Sequence, residues 1–127
     1  VLDVDHFKQV NDQHGHAAGD AALRHVAALL QTLLRRSDVL ARTGGEEFVV
    51  LMPETGRDAA AQVAERMRAA LQAQDLEWEG RRIPVRASFG IACSEQAHSD
   101  DALLQLADQA LYAAKAGGRN RVALAPA

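Results

Sequence analysis

Arg42-Thr43-Gly44-Gly45-Glu46-Glu47-Phe48-Val49-Val50-Leu51-Met52 decides how this chain folds. Two glycines stand between two short runs suited to strands. A two-residue turn joining antiparallel strands needs positive φ, which glycine reaches without a Cβ clash. The stretch therefore predicts a hairpin with arms Val39 to Thr43 and Glu47 to Met52, ended by Pro53-Glu54-Thr55-Gly56. The turn holds two adjacent carboxylates, Glu46 and Glu47, at the mouth of a sheet. Acids fixed there can bind Mg²⁺, the ion that phosphoryl chemistry on nucleotides uses. An exposed hairpin with solvated acids would show the same segment, so the remaining chain must discriminate.

Working outward, Val1 to Asp5 alternates apolar and acidic residues, the pattern of a half-buried strand. His6 to Gly19 reads as a polar loop with an apolar knot at Phe7 and Val10. Asp20 then reads as the N-cap of a helix whose stripe is Leu23, Val26, Ala27, Leu30 and Leu33 or Leu34. A second helix is expected from about Asp58 to Gln72. A turn at Glu79-Gly80 precedes the longest expected strand, Ile83 to Cys93. A third helix starts near Asp100 or Asp101, buries Leu103, Leu104, Ala107, Ala110, Leu111 and Ala114, and stops at Gly117-Gly118. Val122 to Leu124 closes the order β-α-β-β-α-β-α-β. Hairpins make antiparallel pairs and helical crossovers make parallel ones, so the fold class is α+β, a mixed, largely antiparallel sheet flanked by helices.

The 127 residues suit one domain with a real core, and 48% apolar with 24% charged residues is ordinary globular composition. A net charge of −3 argues against a nucleic-acid polymer as partner. The single cysteine, Cys93, excludes an internal disulfide framework and fits a reducing cytoplasm. No apolar run approaches the roughly 20 residues of a membrane span. The chain opens on Val1, already inside a strand-like alternation, and reads as a piece of a longer protein.

Three more clusters join the hairpin. Asp3-Val4-Asp5-His6-Phe7-Lys8 runs into Asn11-Asp12, Gly15-His16 and Gly19-Asp20. Arg35-Arg36-Ser37-Asp38 precedes the hairpin, and Ala107-Asp108, Ala110-Leu111-Tyr112, Ala114-Lys115 and Gly118-Arg119-Asn120 follow late in the chain. With these in order, the chain closely resembles the GGDEF-domain family of diguanylate cyclases, its signature standing as GGEEF. The resemblance covers essentially residues 1–127. The family's lead-in helix and the start of its first strand would precede Val1, so the domain is expected to be N-terminally truncated.

The resemblance implies condensation of two GTP molecules to cyclic di-GMP with release of two pyrophosphates, by a homodimer whose hairpins meet. It implies Mg²⁺ or Mn²⁺ held by Asp3, the carbonyl of Val4 and Glu46. Glu46 would also be the general base, with Glu47 available to a second ion. The loop at Phe7 and Lys8 would cradle the β- and γ-phosphates, aided by Lys115 and Arg119, which also read as a basic helix end. Asn11 and Asp20 would read guanine, His16 would lie against the nucleotide, and Gly44 and Gly45 would border it. A carboxylate accepts from guanine N1–H and N2–H₂, groups that adenine lacks, so ATP should be rejected.

By the same resemblance Arg35 and Asp38 form an RxxD inhibitory site for the product, with Arg66 as its secondary arginine. Arginine suits phosphate and the guanine edge alike. His14, His16 and Asp20 also raise a zinc site, which lacks a fourth ligand. The competing functional class is a catalytically silent module that binds GTP or cyclic di-GMP and signals by contact. Retention of Asp3, Asn11, Asp20, Gly44, Gly45, Glu46, Glu47 and Lys115 favours the enzyme. An upstream sensor or regulatory domain is expected, and the domain is expected to face the cytosol even if the full protein is membrane-anchored.

Overall fold

The computed structural model describes residues 1–126. Its elements run β1 (Leu2–Val4), α1 (Phe7–His14), α2 (His16–Gln31), β2 (Val39–Gly44), β3 (Glu47–Leu51), α3 (Arg57–Ala73), β4 (Leu76–Trp78), β5 (Arg81–Ile83), β6 (Ala87–Ile91), a 3₁₀ turn (Ser94–Gln96), α4 (Asp100–Ala116) and β7 (Val122–Leu124). The main sheet has the order β2-β3-β1-β6-β7. Among the described residues only β6 and β7 pair in parallel, and β2/β3, β3/β1 and β1/β6 are antiparallel. This is the mixed, largely antiparallel α+β architecture that the element order predicts.

Register assigns the two faces. Residues directly opposite on antiparallel strands point to the same side. Leu2 faces Phe48 on one neighbour and Phe89 on the other. That row is buried with Val26 and Leu30 of α2 and Ala64, Met67 and Leu71 of α3. Phe48→Ala there would cost about 3–5 kcal/mol through lost burial and the cavity left behind. The alternate row, Asp3 between Glu47 and Ser88, belongs to the other face, which α4 covers. Gly90 lies two residues beyond Ser88. A Cβ on it would run into the backbone of α4 at Ala107 and Leu111. The helix therefore rests its backbone directly on β6, and this close approach sets the height of everything α4 carries.

Several expectations change in detail. His6 to Gly19 is not a loop: α1 and the first turn of α2 occupy it, and the break falls at Gly15, with φ 92°. Gly15, not Asp20, is the N-cap of α2, and Asp20 sits exposed inside the helix. The stretch Ile83 to Cys93 is not one strand. Ile83 closes a separate β4/β5 hairpin turned at Glu79-Gly80, Pro84 cannot donate to a ladder, and β6 begins only at Ala87. Leu104 of α4 is exposed, not buried. The start of α4 agrees with expectation, and Ser99 caps it by accepting from the Ala102 N–H at 3.1 Å.

Candidate active site

The hairpin turn differs by one residue from its sequence reading. Gly44 still pairs, with Glu47, after a bulge between Arg42 and Gly44. The two-residue turn is therefore Gly45-Glu46, with Gly45 at φ 25°. Arg42 Nε donates to the Gly45 carbonyl at 2.9 Å and braces the turn from its own strand. The Val4 N–H donates to the Glu46 carbonyl at 3.0 Å. Glu46 is thus fixed by its backbone while its side chain carries no structural bond among the described residues. Glu47, not Glu46, is the residue opposite Asp3 in the ladder, and its carboxylate receives a long 3.4 Å contact from Thr43 Oγ1.

Like charges directly opposite on a sheet destabilise it. Lys115 of α4 supplies the compensation: its Nζ stands 2.9 Å from Asp3 Oδ2. Burial pushes the Asp3 carboxyl above its ordinary value. The Lys115 hydrogen bond and charge oppose that shift, and Glu46 and Asp5 reinforce it. Asp3 is therefore an acid held where its negative charge is under-compensated, the condition in which a further cation is welcome.

Asp5 is the residue that sequence reasoning missed. It is buried, its Oδ1 accepts from Ser88 Oγ at 2.7 Å, and its Oδ2 accepts from the Asn120 N–H at 2.9 Å. Asn120 and Arg119 both lie in the left-handed region, with φ 46° and 64°. Asp5 thus ties the turn after α4 to the end of β1. The Asp-Val-Asp spacing was its signal, since residues two apart on a strand share a face. Arg68 and Gln72 of α3 hold the Asn120 side chain from the other side, at 3.4 and 3.0 Å. Arg119 lies past the helix end, so Lys115 and Arg119 are not neighbours on one helical turn.

Phe7 and Lys8 open α1. Their N–H groups lie at a helix N-terminus, a ready-made place for anions, in place of the loop nest expected from sequence. Lys8 and His16 are exposed. Asn11 lies inside α1, its carbonyl accepting the closing bond from the Gly15 N–H at 2.8 Å, and its amide lies against Gly19 of α2. Asp20 follows Gly19 and borders an open groove with Leu23, Arg24, Leu40, Arg42 and Phe48, of about 670 Å³. The guanine candidates and the hairpin thus approach one another on the α1–α2 side. Among the described residues no group of three or more His, Cys, Asp or Glu forms a metal cage, which removes the zinc reading of His14, His16 and Asp20.

Arg35 and Asp38 form a tight unit away from the Asp3 row. Asp38 accepts from the Arg35 N–H at 2.8 Å and from its guanidinium at 3.1 Å. The same guanidinium donates to the Pro53 carbonyl and to Thr55 Oγ1, both at 2.8 Å. The arginine holds the Asp38 carboxyl below its usual range. Arg66 is exposed on α3. The RxxD segment therefore also has a structural duty, fastening the end of α2 to the loop after β3.

The domain family model "Diguanylate cyclase, GGDEF domain" matches residues 1–121. The diguanylate cyclase DgcP of Pseudomonas aeruginosa is 46% identical over 125 residues, which are 98% of this chain and 19% of that protein. Diguanylate cyclase A of Treponema denticola is 41% identical over 98% of this chain and 34% of its own length. The chain thus spans about a fifth to a third of these relatives. Among solved structures, the GGDEF domain of PA1120 (YfiN or TpbB) from P. aeruginosa superposes with a TM-score of 0.93 at 39% identity, covering 99% of this chain and 80% of that one. The GGDEF domain of DgcB from Caulobacter crescentus, solved in complex with c-di-GMP, gives 0.91 at 35% identity, over 98% and 74%. A protein with this sheet, this hairpin and these acids is a nucleotide-cyclase-like domain. The chain belongs to the GGDEF family of diguanylate cyclases.

Proposed function

We propose that this chain is an active diguanylate cyclase domain that joins two GTP molecules into cyclic di-GMP. In each half-reaction a 3′-oxygen forms a bond to the α-phosphorus of the other nucleotide. The α–β phosphoanhydride breaks and pyrophosphate leaves. The observation that carries the reading is Asp3 set opposite Glu47 and bonded to Lys115 at one end of the sheet, with Glu46 fixed by its backbone at the adjoining turn.

The donor set there is all oxygen and suits a hard divalent ion such as Mg²⁺ or Mn²⁺, which completes its shell on substrate phosphates and water, not in a protein cage. Asp3, the Val4 carbonyl and Glu46 would hold it, with Glu47 in reserve. When bound, such an ion neutralises developing phosphate charge. The chain's own groups do the rest. Glu46, free of structural bonds, takes the proton of the attacking 3′-hydroxyl. The Phe7 and Lys8 N–H groups, Lys8 itself, Lys115 and Arg119 hold the β- and γ-phosphates. Asn11 and Asp20 read guanine, His16 lies beside it, and Gly44 and Gly45 leave room at the turn.

One domain offers one such hairpin, so the reaction requires two domains face to face, a C₂ homodimer with apposed turns. Arg35, Asp38 and Arg66 bind the product and restrain that meeting. An upstream sensor or regulatory domain controls it in the cytosol, where GTP is available. Among the described residues no helix is long and apolar enough to cross a membrane.

The test is incubation of the full chain with GTP and Mg²⁺, followed by mass detection of cyclic di-GMP. Formation of the product supports the enzyme. Tight GTP or cyclic di-GMP binding without product would make this a silent signalling module.

A further inference from the structure

Gly19 lies one turn into α2 and is buried, yet its backbone is outside the left-handed region, so no conformational demand explains a glycine there. Inside a helix glycine is less favourable than alanine. What explains it is space. A Cβ at this position would overlap Asn11 Oδ1 outright, and would lie 2.9 Å from Asn11 Cγ and 3.2 Å from Phe7 Cζ. The obstruction is the far end of a side chain. The fold can therefore accept a methyl group at 19, but only if the Asn11 amide swings away. The Asn11 backbone cannot follow, because its carbonyl closes α1 on the Gly15 N–H. The amide makes no hydrogen bond within the chain among the described residues, so it is presented to something else. The exposed carboxylate of Asp20 is the next residue along.

We propose that Gly19 is a specificity-determining residue. By lacking a side chain it seats the Asn11 amide beside Asp20 and so fixes the two-residue edge that selects the purine base. This rests on the reading that Asn11 and Asp20 face guanine. Gly19 touches no nucleotide itself; it is a positioning residue that acts through Asn11.

The experiment compares Gly19→Ala, Asn11→Ala and the double variant with wild type in the full chain. Equilibrium affinities for GTP and for ITP, whose base lacks the exocyclic amine, are measured with melting temperatures. Gly19→Ala should lose at least about tenfold in GTP affinity, the loss expected for one good polar contact. It should also shift the GTP-to-ITP ratio in the same direction as Asn11→Ala. On the Asn11→Ala background the same change should cost less than about twofold more, since coupled sites are not additive. There the melting temperature should rise, as alanine replaces glycine with no amide to displace and the Phe7 ring yields.

Unchanged GTP and ITP affinity in Gly19→Ala, beside clear losses in Asn11→Ala, would overturn the seat and leave the guanine reading intact. Unchanged affinities in Asn11→Ala would overturn both. Equal losses from Gly19→Ala with and without Asn11 would also overturn the seat. Should Gly19→Ala fail to fold, recovery of folding in the double variant supports the seat, and its absence overturns it.

Discussion

Lys115 Nζ stands 2.9 Å from Asp3 Oδ2, joining the last helix to the first strand across 112 positions of sequence. The ammonium offsets the charge of a carboxylate that also faces Glu47 across the ladder.

That pair sets the first expectation. The Asp3 carboxyl is raised by burial, so the folded state holds its proton more tightly than the unfolded chain does. Stability from this group is fully present below the ordinary carboxylate pKa and is lost as pH rises through the raised value. Asp3→Asn should melt no lower than wild type at pH 7, and the two curves should converge in acid. Cyclic di-GMP synthesis should vanish in the same protein. Melting followed from pH 3 to 8 checks the sign, and a variant far less stable at neutral pH would contradict it.

Glu46→Gln should separate fold from chemistry. The residue is held by its carbonyl, which accepts from Val4, and that bond survives the change. Turnover should fall by about 10²–10⁴-fold, the range of a lost general base, with melting unchanged. Near-normal turnover would remove Glu46 from its assigned role.

Asp20→Ala should cost recognition without costing the helix. Gly15 caps α2, and alanine is the better helix former at an interior position. GTP affinity should fall about tenfold or more and discrimination against ATP should erode, while melting holds or rises. Titration of both nucleotides decides it, and unchanged GTP affinity would place the base elsewhere.

Arg35→Ala should relieve product inhibition and also loosen the fold. Asp38, whose side chain is 4% exposed, would keep only the backbone N–H of residue 35 as its partner in this unit, at a cost of about 1–2 kcal/mol. The Asp38 carboxyl is depressed, so the stability it contributes is present above the ordinary carboxylate pKa and disappears as pH falls through the depressed value. The melting deficit should therefore be seen at pH 7 and shrink in strong acid, the opposite trend to Asp3→Asn. Calorimetric titration of cyclic di-GMP, with initial rates in parallel, reads the regulatory part. Equal product affinity in both proteins would leave Arg35 as a structural fastener only.

The parts of this fold that sequence makes plain are those governed by local rules. Gly44-Gly45 demands a hairpin, and the Leu-Ala stripe of α4 demands an amphipathic helix ended by Gly117-Gly118. Residues 6–19 escape because α1 offers only Phe7 and Val10 as an apolar face, and Gly15 then imitates a loop. The β4/β5 hairpin escapes because Ile83 and Val85 look continuous across Pro84. Asp3, Glu46 and Lys115 are recognisable one at a time as chemistry, but their contacts are tertiary. That Glu47 rather than Glu46 stands opposite Asp3 is set by the β1/β3 register, Leu2 against Phe48, which no local pattern reveals. The burial of Asp5 turns on Ser88 and Asn120, which no local pattern joins to it.

The bond from the Asn120 N–H to Asp5 spans 115 positions, and β7, which begins two residues after Asn120, pairs in parallel with β6. Contacts so distant in sequence form late, because the entropy of closing the intervening chain must be met first. During synthesis the β1 acids emerge early, but the turn that aligns them with α4 comes from the last residues described. A nascent chain stopped before α4 owns the hairpin, a partial core and the α1 N-terminus, but lacks Lys115 and Arg119, half of the proposed phosphate grip. On the proposed reading tight GTP binding reports completed folding, and nucleotide supplied during refolding should bind with full affinity only in the final kinetic phase.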